Sequence, residues 1–267
     1  MAANKLEWID EGVLLDLVRK NFGKAVNKAL GQNVQNKREP TLQIIYKVIL
    51  GLDEKQIVEV NRAEGMTKTF QNAIGTFHQD VLGHAKGWRT TGVSGGLIDL
   101  KSEEKVHFTS GDLANESRYV LAELKMRFNT IKGSDQASVW DKLHNAVNSH
   151  GNKDYVAYLF QVVPKGQGGY DEPWKVSNRP SNKLVRVADG VTAYHLVTGD
   201  PRALENLLCN LPSLLIEAFP EALDKERCDL EDLEEFVLAA CTAGLPKRSF
   251  FEEEIAGTFA AESSPVE

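Results

Sequence analysis

Apolar residues recur at helical spacing through residues 6–33, at Trp8, Ile9, Val13, Leu14, Leu17, Val18, Phe22, Val26 and Leu30, which predicts an amphipathic helix. A short second helix is predicted over 41–52, after Pro40, and a third over about 67–82, stopping near Gly83. After Gly92 the pattern becomes strand-like, with runs at about 96–100, 106–109 and 118–126. Ser134 or Asp135 can cap a helix reaching about Val147, and residues 154–163 read as a buried strand closed by Pro164. The Gly- and Pro-rich stretch 166–174 reads as a long loop. A strand near 191–197 should then lead through Gly199-Asp200-Pro201 into helices at about 201–217, 229–243 and 248–260. The expected class is α/β, organised as one domain over 1–267: a helical region at 1–90, an α/β core at 91–200 and an acidic helical region at 201–267.

Composition narrows the setting. A chain of 267 residues can bury a full core, and no apolar run approaches the roughly 20 residues that span a bilayer. With no signal-peptide pattern at the start, a cytoplasmic protein without membrane contact is expected. Cys209, Cys228 and Cys241 are odd in number and share no C-x-x-C spacing, so they read as small apolar residues rather than a disulfide framework or zinc site. Net charge is −7, yet residues 200–267 hold 16 acidic and 5 basic side chains, which leaves 1–199 at +4. Residues 117–190 carry 11 Lys/Arg against 7 Asp/Glu. A mildly basic middle beside an acidic flank suits a DNA groove on one side of the molecule, and equally a solvated mixed surface.

Two short stretches carry the chemistry. Gly95-Gly96-Leu97-Ile98-Asp99 and Val120-Leu121-Ala122-Glu123-Leu124-Lys125 each end an apolar run on an acid. In a strand, Glu123 and Lys125 share one face because side chains alternate. An acid followed two residues later by lysine occurs four times, at Asp53/Lys55, Asp99/Lys101, Glu103/Lys105 and Glu123/Lys125. Only Glu123/Lys125 interrupts a strongly apolar run. Two carboxylates around a divalent cation, with an ammonium group and a water alongside, are apparatus for breaking a phosphodiester bond. The plainer reading of Glu123 and Lys125 is a surface strand pair.

The ordered blocks Gln71-Asn72-Ala73-Ile74-Gly75-Thr76-Phe77-His78-Gln79-Asp80-Val81-Leu82-Gly83, Gly95 to Leu100, Ala122 to Thr130 and Val162-Val163-Pro164-Lys165 resemble type II restriction endonucleases of the PD-(D/E)xK superfamily. The group whose members cut GGNCC sites is the best match, from about residue 40 to about residue 200. The resemblance implies a restriction-endonuclease-like core, with a central mixed β-sheet flanked by helices and further helices at both ends. It implies Asp99 and Glu123 as Mg²⁺ ligands and Lys125 as the lysine of the motif. The proline that names the motif is absent, since Ile98 precedes Asp99. The interval from Asp99 to Glu123 is long and contains Asp112, which is the alternative first ligand.

The same resemblance implies metal-assisted water attack on double-stranded DNA at a GGNCC-like site. It also implies a homodimer matching a near-palindromic target and a cognate DNA methyltransferase in the same system. Asn129, Thr130, Lys132 and Ser134, directly after the catalytic strand, are candidates to donate to phosphates. Arg179, Lys183 and Arg186 are candidates to read bases, and Gln79 is a possible accessory group. The alternatives are a repair or structure-specific nuclease on the same core, or a non-catalytic DNA-binding α/β protein. His78 and His84 stand six apart, off any shared helical face, so a histidine metal pair is not expected.

Overall fold

The computed structural model describes residues 6–30, 40–91, 98–149, 154–166 and 169–222. Three helices come first: α1 (Glu11–Leu30), α2 (Pro40–Val48) and α3 (Glu54–Gly83). α3 begins thirteen residues before the expected start. Asp53 caps it by accepting the Gln56 N–H while the Gln56 side chain accepts the Asp53 N–H, a reciprocal pair that fixes the first turn. Its first half buries only Ile57, so the apolar rhythm that reveals a helix is nearly silent there.

Among the described residues, seven strands form one mixed sheet: β1 (Trp88–Thr90), β2 (Leu100–Ser102), β3 (Val106–His107), β4 (Ser117–Arg127), β5 (Tyr155–Val163), β6 (Asp171–Pro173) and β7 (Val185–Asp189). Their order is β1-β2-β4-β5-β7-β6, with β3 pairing separately with β4. β4, β5 and β7 are parallel, and β2 and β6 run antiparallel to their neighbours. The parallel step from β4 to β5 requires a crossover, supplied by α4 (Gly133–Ser149).

Alternation along the central strands builds two cores. Val120, Ala122 and Leu124 of β4, with Val156, Tyr158 and Phe160 of β5, pack against α1, α3, α5 (Gly190–Thr198) and α6 (Ala203–Ala218). Leu121, Ala157, Leu159, Val185 and Val187 pack the opposite way, against Trp140, Leu143, Ala146 and Val147 of α4. Full burial of each large apolar side chain contributes about 1.5–3 kcal/mol.

Four expectations are corrected here. Residues 191–197 are helix, not strand: the Asp189 side chain accepts the Val191 and Thr192 N–H groups as an N-cap, and Gly199 closes the helix in the left-handed region. The β-branched run Val191-Thr192 mimics a strand, while the true strand ends at Asp189. Gly190 lets α5 approach β5, since a Cβ there would lie 2.3 Å from the Val162 carbonyl oxygen. Within the presumed long loop, β6 adds an antiparallel edge to β7, where Pro173 is tolerated because an edge strand needs no inward N–H at that position. The sheet also starts earlier than Gly92, at Trp88, and the described part of the run expected at about 96–100 enters the strand only at Leu100, in Leu100–Ser102. Residues 92–97 and the helices expected at 229–243 and 248–260 lie outside the described residues.

Candidate active site

β4 carries Leu121, Glu123 and Lys125 toward α4, and the strand's outer end lifts the last two from core toward solvent. The Glu123 side chain is 8% exposed, against 29% for Lys125 and 25% for Lys142 of α4. Its Oε1 accepts from Lys125 Nζ and its Oε2 from Lys142 Nζ, both at 2.8 Å. Two ammonium groups thus bracket one carboxylate, satisfying a charge that burial alone would make costly. Lys142 escaped the sequence reading. It borders the buried stripe Trp140, Leu143, Ala146 and Val147, so once α4 is placed as the crossover on the Glu123 side, a lysine at that edge must meet the sheet.

Leu100 pairs with Ala122 and Lys101 with Leu121, a register that sets Asp99 across from Glu123. Asp99 Oδ2 accepts the Leu124 N–H at 2.8 Å, the peptide between Glu123 and Lys125. Burial raises the Asp99 pKa, opposed by the Leu124 N–H; the Glu123 charge adds to the rise, while Lys125 and Lys142 lower it. Asp112 sits elsewhere, on a 3-10 turn (Gly111–Leu113), 3.4 Å from Arg186 Nη1. Asp99 is therefore the acid brought beside Glu123.

Gln161 of β5 is paired in register with Lys125, and its Oε1 accepts from the Tyr170 hydroxyl at 2.7 Å. It helps line a cavity of about 840 Å³ at the same end of the sheet, together with Asn129, Lys132, Gln136, Lys165 and Lys175. Asn129, Thr130, Lys132 and Ser134 are exposed on the turn after β4 and the first turn of α4. The Thr130 hydroxyl accepts the Arg127 N–H at 3.3 Å, and the Ser134 hydroxyl donates to Asp135 at 3.0 Å.

The remaining candidates are engaged within the protein. Arg179 donates to both oxygens of Asp141, and Lys183 donates to Glu116 at 2.7 Å. Arg186 is 1% exposed and points to the other side of the sheet, donating to the Asp171 carboxylate at 2.6 Å and to its carbonyl at 2.8 Å. Gln79 is half-buried on α3, and its neighbour His78 is buried against the Tyr194 hydroxyl at 2.7 Å. Cys209 is half-buried and unbridged on α6; Cys228 and Cys241 lie outside the described residues.

Asp99 and Glu123 offer hard oxygen donors on adjacent strands. That donor set fits a small divalent cation that keeps several of its waters. Among the described residues, no group of three or more His, Cys, Asp or Glu side chains assembles. A metal held here would draw on these two carboxylates, with its remaining positions open to other oxygen donors.

A mixed sheet flanked by helices, bearing acids at the edge of a parallel pair, belongs to the restriction-endonuclease-like class of folds. The Eco47II restriction endonuclease family model matches residues 6–219, and the chain belongs to that family. It is similar to the type II restriction enzyme Eco47II of Escherichia coli, with 36% identity over 183 residues, covering 66% of this chain and 71% of that protein. It is also similar to the type II restriction enzyme Sau96I of Staphylococcus aureus, with 25% identity over 176 residues, covering 62% of this chain and 61% of that protein. The chain is accordingly a type II site-specific deoxyribonuclease with DNA as its substrate, an enzyme class that generally uses divalent metal ions. Among the described residues, no helix is long and apolar enough to cross a membrane.

Proposed function

We propose that this enzyme cuts double-stranded DNA at a GGNCC-like site using Mg²⁺, with Asp99 and Glu123 as the metal ligands and Lys125 as the lysine at the scissile phosphate. The observation that carries the assignment is the Asp99 carboxylate held by the Leu124 N–H, between Glu123 and Lys125. When bound, the cation supplies charge at the scissile phosphate and a water that deprotonates more easily. A cation held by Asp99 and Glu123 would compete with Lys125 and Lys142 for the Glu123 oxygens. Lys125, displaced from Glu123 Oε1, would turn toward the phosphate, where its ammonium group would offset the charge that grows on the phosphoryl oxygens. Asp99, anchored by a backbone N–H, stays in place while the lysines move.

Asn129, Thr130, Lys132 and Ser134 are proposed to donate to phosphates beside this site, supported by their exposure next to the cavity. Arg179 and Lys183 can reach bases only by exchanging their carboxylate partners for DNA, and Arg186 is assigned to the interior. We further propose a single nuclease domain, a cytoplasmic location, a paired methyltransferase and a homodimer. For the dimer, Ile44, Ile45, Val48, Ile49 and Leu50 in and just after α2, with Val58 of α3, are left 43–72% exposed, an apolar strip that a second copy would cover.

The deciding experiment is digestion of unmodified DNA of known sequence with Mg²⁺, followed by sequencing of the ends. Discrete fragments that all end within GGNCC-like sites support the reading. Random nicking points to a repair-type or structure-specific nuclease, and discrete ends elsewhere remove the assigned site. Sedimentation at micromolar concentration tests the dimer, and a monomer both free and DNA-bound would discard it.

A further inference from the structure

α1 and α3 lie side by side with an open groove of about 950 Å³ between them, closed at one end by α2. One wall is a lysine stripe on α1, Lys20, Lys24 and Lys28, each four residues from the next. The facing wall on α3 repeats the interval with Lys68, Asn72 and Thr76. Residues four apart stack on one helical face about 6 Å apart, so the groove presents two parallel rows of donors. The lining holds one acid, Glu64, which accepts a short hydrogen bond from the Tyr46 hydroxyl. Lys20 is held by Asp80 at 2.8 Å and Lys28 by the Thr69 hydroxyl at 3.1 Å. Lys24 and Lys68 are exposed and have no carboxylate partner among the described residues.

The position of the groove is as telling as its charge. Gly83 of α3 abuts Thr90 and Leu100, whereas Gly75 abuts the side chain of Met126, the residue after Lys125. Going backward, α3 therefore follows β4 toward its outer end, and its residues before Gly75 continue beyond the sheet. At about 1.5 Å per residue, this is a projection of roughly 30 Å, more than enough to flank a duplex lying across the strand ends. Lys68 and Asn72 stand on that projecting part.

We infer that the α1–α3 groove is a second DNA contact, in which Lys24 and Lys68, helped by Lys28, Asn72 and Thr76, bind the phosphate backbone to one side of the cut. The inference rests on the proposed active site, because DNA must lie across that end of the sheet. Gln43 and Asn61 of the lining are bonded to each other and the two exposed cations carry no planar fork of donors onto a base, so the contact is a clamp on backbone charge. A six-ångström interval of lysines is close to the axial rise of two successive phosphates on one strand, about 3.4 Å each.

The test is DNA binding by the full chain carrying Lys125→Ala, with and without the added pair Lys24→Ala and Lys68→Ala, measured by fluorescence anisotropy on a 30-base-pair duplex across a salt series. Losing two phosphate contacts should lower the slope of log affinity against log salt by about 2, equally on duplexes with and without the recognition site. A control removing two charges at Lys86 and Lys105, one near the N-terminal segment and the other at the opposite end of β4, should leave the slope within about 0.5 of the parent. An unchanged slope in the groove variant, or an equal fall in the control, overturns the inference. Both groove lysines are exposed, and circular dichroism checks that the variant is folded; Lys24→Gln with Lys68→Gln repeats the test if it is not. Plasmid digestion by the unaltered enzyme reports on the parent reading separately. Site-specific cleavage combined with an unchanged slope removes the groove alone, whereas absence of cleavage on every substrate removes the reading beneath it.

Discussion

The two faces of the central sheet both hold charged or polar groups below the surface, yet they treat them oppositely. On the α4 side, Glu123 meets Lys125 and Lys142, whose side chains stay 29% and 25% exposed and can change partners. On the other side, Arg186 is sealed between Asp171 and the Tyr158 ring, and His78 is sealed against Tyr194. Alternation along adjacent strands sends the groups to one face or the other, but depth along the strand decides their character. The lysines at the outer end of β4 and on α4 stay open to solvent, whereas Arg186 on β7 and His78 on α3 do not. A buried ion pair by itself thus says little about catalysis, and the mobility of its partners says more.

The largest expected effect separates the faces by activity. Lys125→Ala or Glu123→Ala should reduce cleavage by roughly 10³-fold or more, with thermal stability nearly unchanged and, for Lys125→Ala, DNA binding largely retained. Loss of binding with cleavage per bound complex preserved would contradict the role given to Lys125. Arg186→Leu should do the reverse in kind, destabilising the fold by about 2 kcal/mol because the buried guanidinium's charged hydrogen bonds to Asp171 are lost, while the partly exposed carboxylate left behind can turn to water. Denaturant unfolding measures this, and a variant as stable as the parent would mean that the sealed pair is not structural.

The sealed face should also impose a pH dependence. Burial holds the folded His78 imidazole at about 4, whereas an unfolded histidine titrates near 6.5, so the unfolded chain takes up the proton first as pH falls. The contribution of neutral His78 is complete above pH 6.5 and is lost toward pH 4, by roughly 3 kcal/mol. His78→Gln, which keeps a hydrogen-bonding group near Tyr194 but cannot titrate, should flatten the unfolding profile between these limits; an equally steep profile would assign the loss to other groups. The smallest effect falls on the exchanging face. Lys142→Ala leaves Lys125 to neutralise Glu123 and should slow cleavage about tenfold without measurable loss of stability. A melting temperature that drops with the rate would make Lys142 a structural lysine after all.

Legibility in the sequence followed the strength of the local signal. β4, β5 and α4 were readable because continuous or periodic apolar runs admit one interpretation, and Glu123 and Lys125 drew attention as polar interruptions of such a run. The family resemblance rested on an ordered series of blocks, and the family model agrees with it. The early start of α3 was hidden because that half of the helix packs little, and α5 was misread because Val191 and Thr192 favour strands until Asp189 is recognised as a cap. Lys142 and Gln161 join the site only through a parallel crossover and a neighbouring strand, relations between distant segments that no local pattern encodes. The lysine stripe on α1 went unread, because its meaning depends on the facing stripe of α3.

The hydrogen bond from the Leu124 amide to Asp99 couples the placement of three side chains to a single peptide. That one bond ties the acid at the entry of β2 to the strand that carries the other two groups, so the trio's arrangement depends on the register between the two segments. If the trio cuts DNA as proposed, loops and helices that touch the duplex can diverge, and with them the choice of target, so long as that register is kept.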